Sequence, residues 1–409
     1  MAGYATCGLH LTASEPTGLM TIRTTPRAGS PSSGTSPAGP EIPDLPLVSA
    51  ILEAWYPSAA RELPWRSERS GYRALVSELM LQQTQVSRVV ERFANFMARF
   101  PTLRSLADAP EQEVLAAWQG LGYYRRARFL HRAAQAIRDM HGAEVPDNVA
   151  ALAALPGIGR YTAGAIASIV FGQPAAIVDG NVLRVLSRLA DHETRMGDPA
   201  AERWAWREST RLVQVASAPG VTNEALMELG ATVCTPAAPR CDACPLAQQC
   251  AGRASGRAAS IPTPRRSAAR RTLYWHSLVH VDEHGVLLTE RPAAGLWAGM
   301  LQPPTIESGT PLDVTVLGTT WGLPVNQVAQ FTHVTSHRTV EFTVLVSAGE
   351  RTPTMTGARR VPLELLESVA LSNAAWRVIE CAGVPVKTPL SASAGRRAPR
   401  AARFEPTDS

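Results

Sequence analysis

Leu155-Pro156-Gly157-Ile158-Gly159-Arg160-Tyr161-Thr162-Ala163-Gly164 is the stretch on which the fold turns. It places two glycines in a short turn between two segments of helical periodicity. Glycine accepts left-handed backbone, and a turn that opens a helix can aim free N–H groups outward. Such a turn can bind a phosphate without reading sequence. A plain glycine-rich turn is the other reading, and this stretch alone does not choose. Its surroundings are helical. Apolar residues recur at helical spacing from Tyr72 to Phe100, at Leu75, Val76, Leu79, Met80, Val86, Val89, Val90, Phe93 and Phe96. Further helical segments are Glu111 to Trp118, Ala127 to Met140, Thr162 to Phe171, Val182 to Ala190 and Asn223 to Val233. Period-2 alternation is almost absent, so this half reads as all-α.

Outward from that core the character changes twice. Residues 1–46 are rich in Ser, Thr, Pro and Gly and read as a disordered extension. Residues 47–252 form the helical domain. Residues 253–271 carry Arg253, Arg257, Arg265, Arg266, Arg270 and Arg271 without an acid, and read as a basic linker. That linker is either a solvated tether or an arm for a polyanion. Strands follow at Leu273 to Val281, Val286 to Glu290 and Thr339 to Val346, with helices at Pro362 to Ser368 and Ala374 to Cys381. Residues 272–386 are therefore a smaller α+β domain, and 387–409 a disordered basic tail. A chain of 409 residues suits two domains. No apolar run reaches 18 residues, so no membrane partner is expected. The net charge of +5 is compatible with a polyanion and weak alone.

Three constellations carry chemistry. Cys234, Cys241, Cys244 and Cys250 follow a Cys-x6-Cys-x2-Cys-x5-Cys spacing. Four thiolates this close suit a [4Fe–4S] cluster. Zinc is the alternative, but structural zinc sites usually pair two Cys-x2-Cys knuckles and only one is present. Clustered cysteines and a start without a basic-then-apolar leader suggest a reducing cytoplasm rather than a secreted disulfide scaffold. Asp179 precedes the helix beginning near Val182. It reads as an N-cap, which does not exclude catalysis. Glu78 stands alone in Ser77-Glu78-Leu79-Met80-Leu81-Gln82-Gln83-Thr84. It is either an exposed surface acid or, if buried, a general acid with a raised pKa.

Together with Leu63-Pro64-Trp65-Arg66, Gly120-Leu121-Gly122-Tyr123-Tyr124 and Asn223 to Leu226, these motifs resemble the helix-hairpin-helix DNA glycosylases with an iron–sulfur cluster, which include endonuclease III. Within them the chain looks most like the MutY-type adenine glycosylases, from about Leu63 to Cys250. The resemblance implies a mainly α protein: a two-lobed helical domain with a [4Fe–4S] loop, then a Nudix-like domain. It implies an adenine-specific enzyme of base excision repair, acting on adenine opposite 8-oxoguanine or guanine in double-stranded DNA, as a monomer on bacterial nucleoid DNA. By that resemblance Glu78 protonates the adenine ring and Asp179 stabilises the oxocarbenium-like sugar. Tyr161 and Asn181 position them. Arg66, Trp65 and Glu224 match the pocket for the extruded base. Gln83, Thr84, Leu121 and Tyr123 match residues that probe the opposite strand, and Gly157 and Gly159 the phosphate-binding hairpin. Bifunctional relatives carry a nucleophilic Lys where this chain has Tyr161; a phenol cannot form a Schiff base, so little lyase activity is implied.

The second half resembles the family's Nudix-like lesion-recognition domain, through Leu287-Leu288, Arg291-Pro292 and Gly295 to Met300. It lacks the Glu-rich metal box, so no pyrophosphatase activity is expected. The family's Phe-Ser-His turn is Thr335-Ser336-His337 here. Ser336 and His337 are kept and the aromatic wedge is not. Leu301-Gln302-Pro303-Pro304 also departs from the family's Trp-Glu-Phe-Pro.

Overall fold

The computed structural model describes residues 39–265, 269–347, 353 and 355–386. Tyr72 to Phe100 folds as two helices, Gly71–Leu81 and Val86–Arg99. The break falls at Gln83, whose φ of 54° is left-handed and cannot continue a helix. Their apolar faces join the Arg125–Met140 helix in a first core that includes Phe93, Phe96, Trp118 and Leu130. Burying each of these large side chains contributes about 2–3 kcal/mol. A second core is built from the helices Leu45–Ala59, Gly180–Leu189, Pro199–Val215 and Pro219–Thr232. The two-lobed helical architecture expected from the resemblance is therefore present.

The Arg160–Ile169 helix is the wall between the lobes. Ala163, Ile166 and Ala167 face the first core, and Ala165 faces the second. Two glycines explain how it sits. A Cβ on Gly164 would lie 2.3 Å from the Ala176 carbonyl oxygen, so only glycine permits that approach. Gly157 has a φ of 76°, and a Cβ there would meet Phe129 at 2.3 Å.

The α+β domain has a four-stranded sheet in the order Thr305–Ser308, Arg271–Val279, Arg338–Ser347, Val325–Val334. Its central pair, Arg271–Val279 and Arg338–Ser347, is parallel, and its outer pairs are antiparallel. A second sheet centres on Gly285–Glu290, paired with Val281–Asp282, Leu301–Gln302 and Ala358–Val361. The Asn373–Cys381 helix serves both. Trp376 and Ile379 pack with the second sheet, Ala374 and Val378 with the first.

Several boundaries differ from the sequence reading. Residues 39–46 are folded onto the helical domain: Ile42 is 2% exposed, and its N–H donates to Glu208 Oε2 at 3.2 Å. The extension 1–38 and the tail 387–409 lie outside the described residues. The linker is docked along its first part. Ala258 and Ile261 are buried, and Thr263 exchanges backbone bonds with Thr194 and Met196. Arg257 pairs with Asp191 at 2.7 Å, so its charge is engaged within the protein. Arg266 to Ala268 lie outside the described residues. The Pro199–Val215 helix and the Val325–Val334 strand were not anticipated, the strand because Asn326, Gln327 and Gln330 mask its alternation. Among the described residues no helix is long and apolar enough to cross a membrane.

Candidate active site

Glu78 lies in the last turns of the Gly71–Leu81 helix, and Asp179 caps the Gly180–Leu189 helix of the other lobe. The fold thus brings two carboxylates from opposite lobes to one cleft. Glu78 keeps part of its surface open to that cleft. Its carboxyl is nevertheless enclosed enough that burial pushes its pKa up to about 7. The charges of Asp179 and Glu224 push in the same direction, while a hydrogen bond from Tyr161 and the charge of Arg66 pull back. Half-protonated near neutral pH, Glu78 can deliver a proton.

Asp179 is fixed by two donors. Its Oδ1 accepts the Val182 N–H at 2.7 Å and its Oδ2 the Asn181 Nδ2 at 3.0 Å. Capping and orientation are the same act here. Asn181 is itself held, since its Oδ1 accepts from Arg184 at 2.8 Å. The buried Arg184 also donates to the carbonyls of Gly230 and Cys234, each at 2.8 Å. One guanidinium therefore links the cysteine loop to the carboxylate. The Tyr161 hydroxyl lies between the lobes, where it donates to Met227 Sδ at 3.1 Å and is near enough to Glu78 for the two to act on each other's pKa. A carboxylate is the stronger acceptor, so the proton points to Glu78 when Glu78 is ionised. Burial and the charges of Glu78 and Asp179 raise the phenol well above its ordinary pKa, which keeps it a neutral donor.

Beside these groups lies a buried ion-pair cluster. Glu224 is held by Arg69 at 2.7 Å, with Arg66 at 3.6 Å. Glu228 accepts from Arg66 at 2.9 Å and from Arg61. Burial alone would raise Glu228, but those hydrogen bonds outweigh it and hold the carboxyl below the usual carboxylate range. Arg69, Arg61 and Glu228 were not anticipated. Glu228 had a signal: it is an acid four residues beyond Glu224, between Leu226 and Leu229. Trp65 meets Phe93 edge-on at 5.5 Å.

The other anticipated residues form a rim. Gly157 and Gly159 are exposed at the turn before the Arg160–Ile169 helix. Gln83 is exposed, and Tyr123 is 45% exposed with a φ of 47°. Leu121 departs from expectation. It is 4% exposed and packs in the first core, and only its carbonyl reaches the rim residue Thr84. The α+β domain docks against this lobe. Gln119 donates to the Val369 carbonyl and accepts from Trp376 Nε1 at 3.1 Å, and the Tyr124 hydroxyl donates to the Leu371 carbonyl. The docking brings the exposed Ser336–His337 turn to the rim, where Ser336 Oγ touches the Tyr123 hydroxyl. Thr335, at the departed position, closes its own hairpin: its Oγ1 donates to the Arg338 carbonyl at 3.0 Å and accepts the Arg338 N–H at 3.1 Å.

Cys234, Cys241, Cys244 and Cys250 line one apolar cavity with Arg188 and Arg253. Among the described residues no three His, Cys, Asp or Glu side chains converge as a single metal ion requires. Four thiols lining one cavity are the donor set that either a [4Fe–4S] cluster or a zinc ion would take. Arg188 donates to Cys234 Sγ at 3.3 Å. Burial and the neighbouring thiols push Cys244 up to about 11.

Comparison with known proteins bears on the fold and the family. Residues 76–209 match the HhH-GPD superfamily of base excision DNA repair proteins, and residues 276–381 match the NUDIX domain. The adenine DNA glycosylase of Rattus norvegicus is 32% identical over 440 residues, covering 91% of this chain and 85% of its own. That of Mycobacterium tuberculosis is 43% identical over 219 residues, covering 53% of this chain and 71% of its own. The Homo sapiens protein of that name is 42% identical over 222 residues, covering 52% of this chain but 40% of its own length. The two-lobed helical domain, the paired carboxylates, the cysteine loop and the Nudix-type domain all lie within that likeness, and the chain belongs to the adenine DNA glycosylase family.

Proposed function

We propose that the protein hydrolyses the N-glycosidic bond of adenine mispaired with 8-oxoguanine or guanine in double-stranded DNA. The observation that carries this reading is the pairing of a protonatable Glu78 with a fixed Asp179 across the interlobe cleft. Adenine departs as a neutral base only when its ring accepts a proton, and Glu78 is the group placed to give it. The sugar left behind develops positive charge, which the Asp179 carboxylate faces and stabilises, with or without a covalent intermediate. Tyr161 and Asn181 hold the two carboxylates in place. The base must leave the helix to reach them, at a cost of a few kcal/mol. Arg66 and Glu224 border the space that receives it, with Trp65 supporting that wall from behind. Exposed backbone at Gly157 and Gly159 suits the phosphate contacts that offset the cost.

Tyr161 also bears on the outcome of the reaction. A phenol forms no Schiff base with the opened sugar, so the strand is left uncut at the abasic site. Gln83, Thr84 and Tyr123 face the strand opposite, and Ser336 and His337 reach the same place from the second domain. Cys234, Cys241, Cys244 and Cys250 would hold a [4Fe–4S] cluster whose role is to fix the loop rather than to react. Through Arg184 that loop supports Asn181 and Asp179. Glu78→Gln is the direct test. It is expected to bind a mispaired duplex with affinity near that of the wild type and to release no adenine. Turnover within tenfold of wild type would remove Glu78 from its role.

A further inference from the structure

Arg126 is a buried cation that pairs with no carboxylate among the described residues. Burial lowers its pKa to about 10, which leaves it charged at neutral pH. Six oxygens surround its two terminal nitrogens instead. One nitrogen donates to the carbonyls of Leu79 and Met80, each at 2.8 Å, and of Gln82. The other donates to Thr84 Oγ1 at 2.9 Å and to the carbonyls of Leu121 and Gly122, each at 3.1 Å. The first set closes the end of the Gly71–Leu81 helix, where carbonyls lack partners and a cation is favoured. The second set ties that helix end to the Gly120–Tyr123 turn.

Both joined segments are held in left-handed backbone. Gln83 has a φ of 54° and Tyr123 a φ of 47°, beside Gly120 at 87° and Gly122 at 68°. A non-glycine residue stays in that region only where its surroundings over-determine it. Gln83 and Tyr123 are the exposed members of their turns, and each turn is fixed from behind through its neighbours' oxygens. The guanidinium also lies 5.4 Å from the centre of the Tyr123 ring. A simple core filler at this position would need no charge, whereas joining six oxygens on two turns needs the guanidinium fork.

We infer that Arg126 is a positioning residue for recognition of the opposite strand: it locks the Gln83 and Tyr123 turns into one register, so that both side chains meet the base left opposite the excised adenine. The inference rests on the proposed adenine excision. It predicts that losing Arg126 harms partner discrimination more than the chemical step.

The test uses the full-length chain as wild type, Arg126→Lys and Arg126→Met. Steady-state kinetics are measured on duplexes with adenine opposite 8-oxoguanine and opposite guanine. Wild type is expected to favour the 8-oxoguanine duplex in kcat/KM. Arg126→Met is expected to lose that preference by tenfold or more, mainly through KM, with kcat changed by less than about threefold. Arg126→Lys, which keeps the charge but not the fork, should fall between them. Equal preference in all three proteins, or a loss confined to kcat on both duplexes, would overturn the proposal. If Arg126→Met does not fold, Arg126→Lys decides by amide exchange: faster exchange confined to residues 82–84 and 121–123 supports the role. Exchange raised throughout the first lobe, or two variants that both fail to fold, would make Arg126 a folding residue and overturn it. A wild type without adenine excision would instead refute the proposed function, and the inference would fall with it.

Discussion

Replacing Tyr161 by Phe removes the hydroxyl that lowers the Glu78 pKa, and the consequence should appear in the pH profile. With a pKa of about 7, Glu78 is roughly 90% protonated at pH 6 and roughly 10% at pH 8. If its proton is the one transferred, wild-type kcat/KM falls roughly tenfold between those pH values. The Tyr161 hydrogen bond favours the charged carboxylate and so lowers the pKa. Its loss must raise it. A hydrogen bond to a charged group contributes ~1.5–3 kcal/mol, and the open side of the cleft puts this one at the lower end, about one pKa unit. At a pKa near 8 the fall from pH 6 to pH 8 shrinks to about twofold. That ratio is insensitive to any uniform loss of rate, so kcat/KM measured at the two pH values is a sufficient assay. An unchanged tenfold fall, or a profile displaced to lower pH, would refute the coupling of Tyr161 to the acid.

Three further outcomes follow from the same geometry. A carboxyl whose pKa is raised on folding binds its proton more tightly in the native state, so stability falls as pH rises from about 4.5 through 7. Glu78→Gln should abolish that loss, gaining about 2–3 kcal/mol over wild type at pH 8 and little at pH 4; equal gains in thermal melts at both would contradict the shift. Arg184→Met strands the Cys234 and Gly230 carbonyls and frees Asn181, at ~1–3 kcal/mol for each buried acceptor. Bound iron and excision rate should fall together, and full iron with an unchanged rate would break the proposed link. Thr335→Val deletes both side-chain bonds to Arg338, ~1 kcal/mol apiece. An unmoved urea midpoint would show that the hydroxyl does not hold the turn.

The parts of the fold legible from sequence were those carried by local pattern. Apolar spacing marked the helices of the first core, and glycine placement marked the Gly157–Gly159 turn. The cysteine spacing marked a site that the structure gathers into one cavity. Asp179 is instructive, because the N-cap reading holds and the same bond to Val182 fixes the carboxylate that the proposed function uses. Glu78 could not be decided locally, since Tyr161, Asp179 and Glu224, which act on its carboxyl, come from distant parts of the chain. Arg126 and Arg184 gave no signal, because their partners are backbone carbonyls about 46 residues away in sequence. The linker misled for a related reason. Its arginines read as free charge, but Asp191 lies ready to pair with Arg257. Thr335 was read as a missing wedge, and the structure adds what it does instead, which is to lock the hairpin that presents Ser336.

The central claim is that this chain removes adenine opposite oxidised guanine and leaves the strand intact. It is tested most directly with labelled duplexes carrying adenine opposite 8-oxoguanine, guanine or thymine, each divided between neutral buffer and hot alkali. The account predicts adenine loss from the 8-oxoguanine duplex above the guanine duplex, little from the thymine duplex, and strand breakage only after alkali. Equal release from the adenine–thymine duplex, or breakage without alkali, would contradict it.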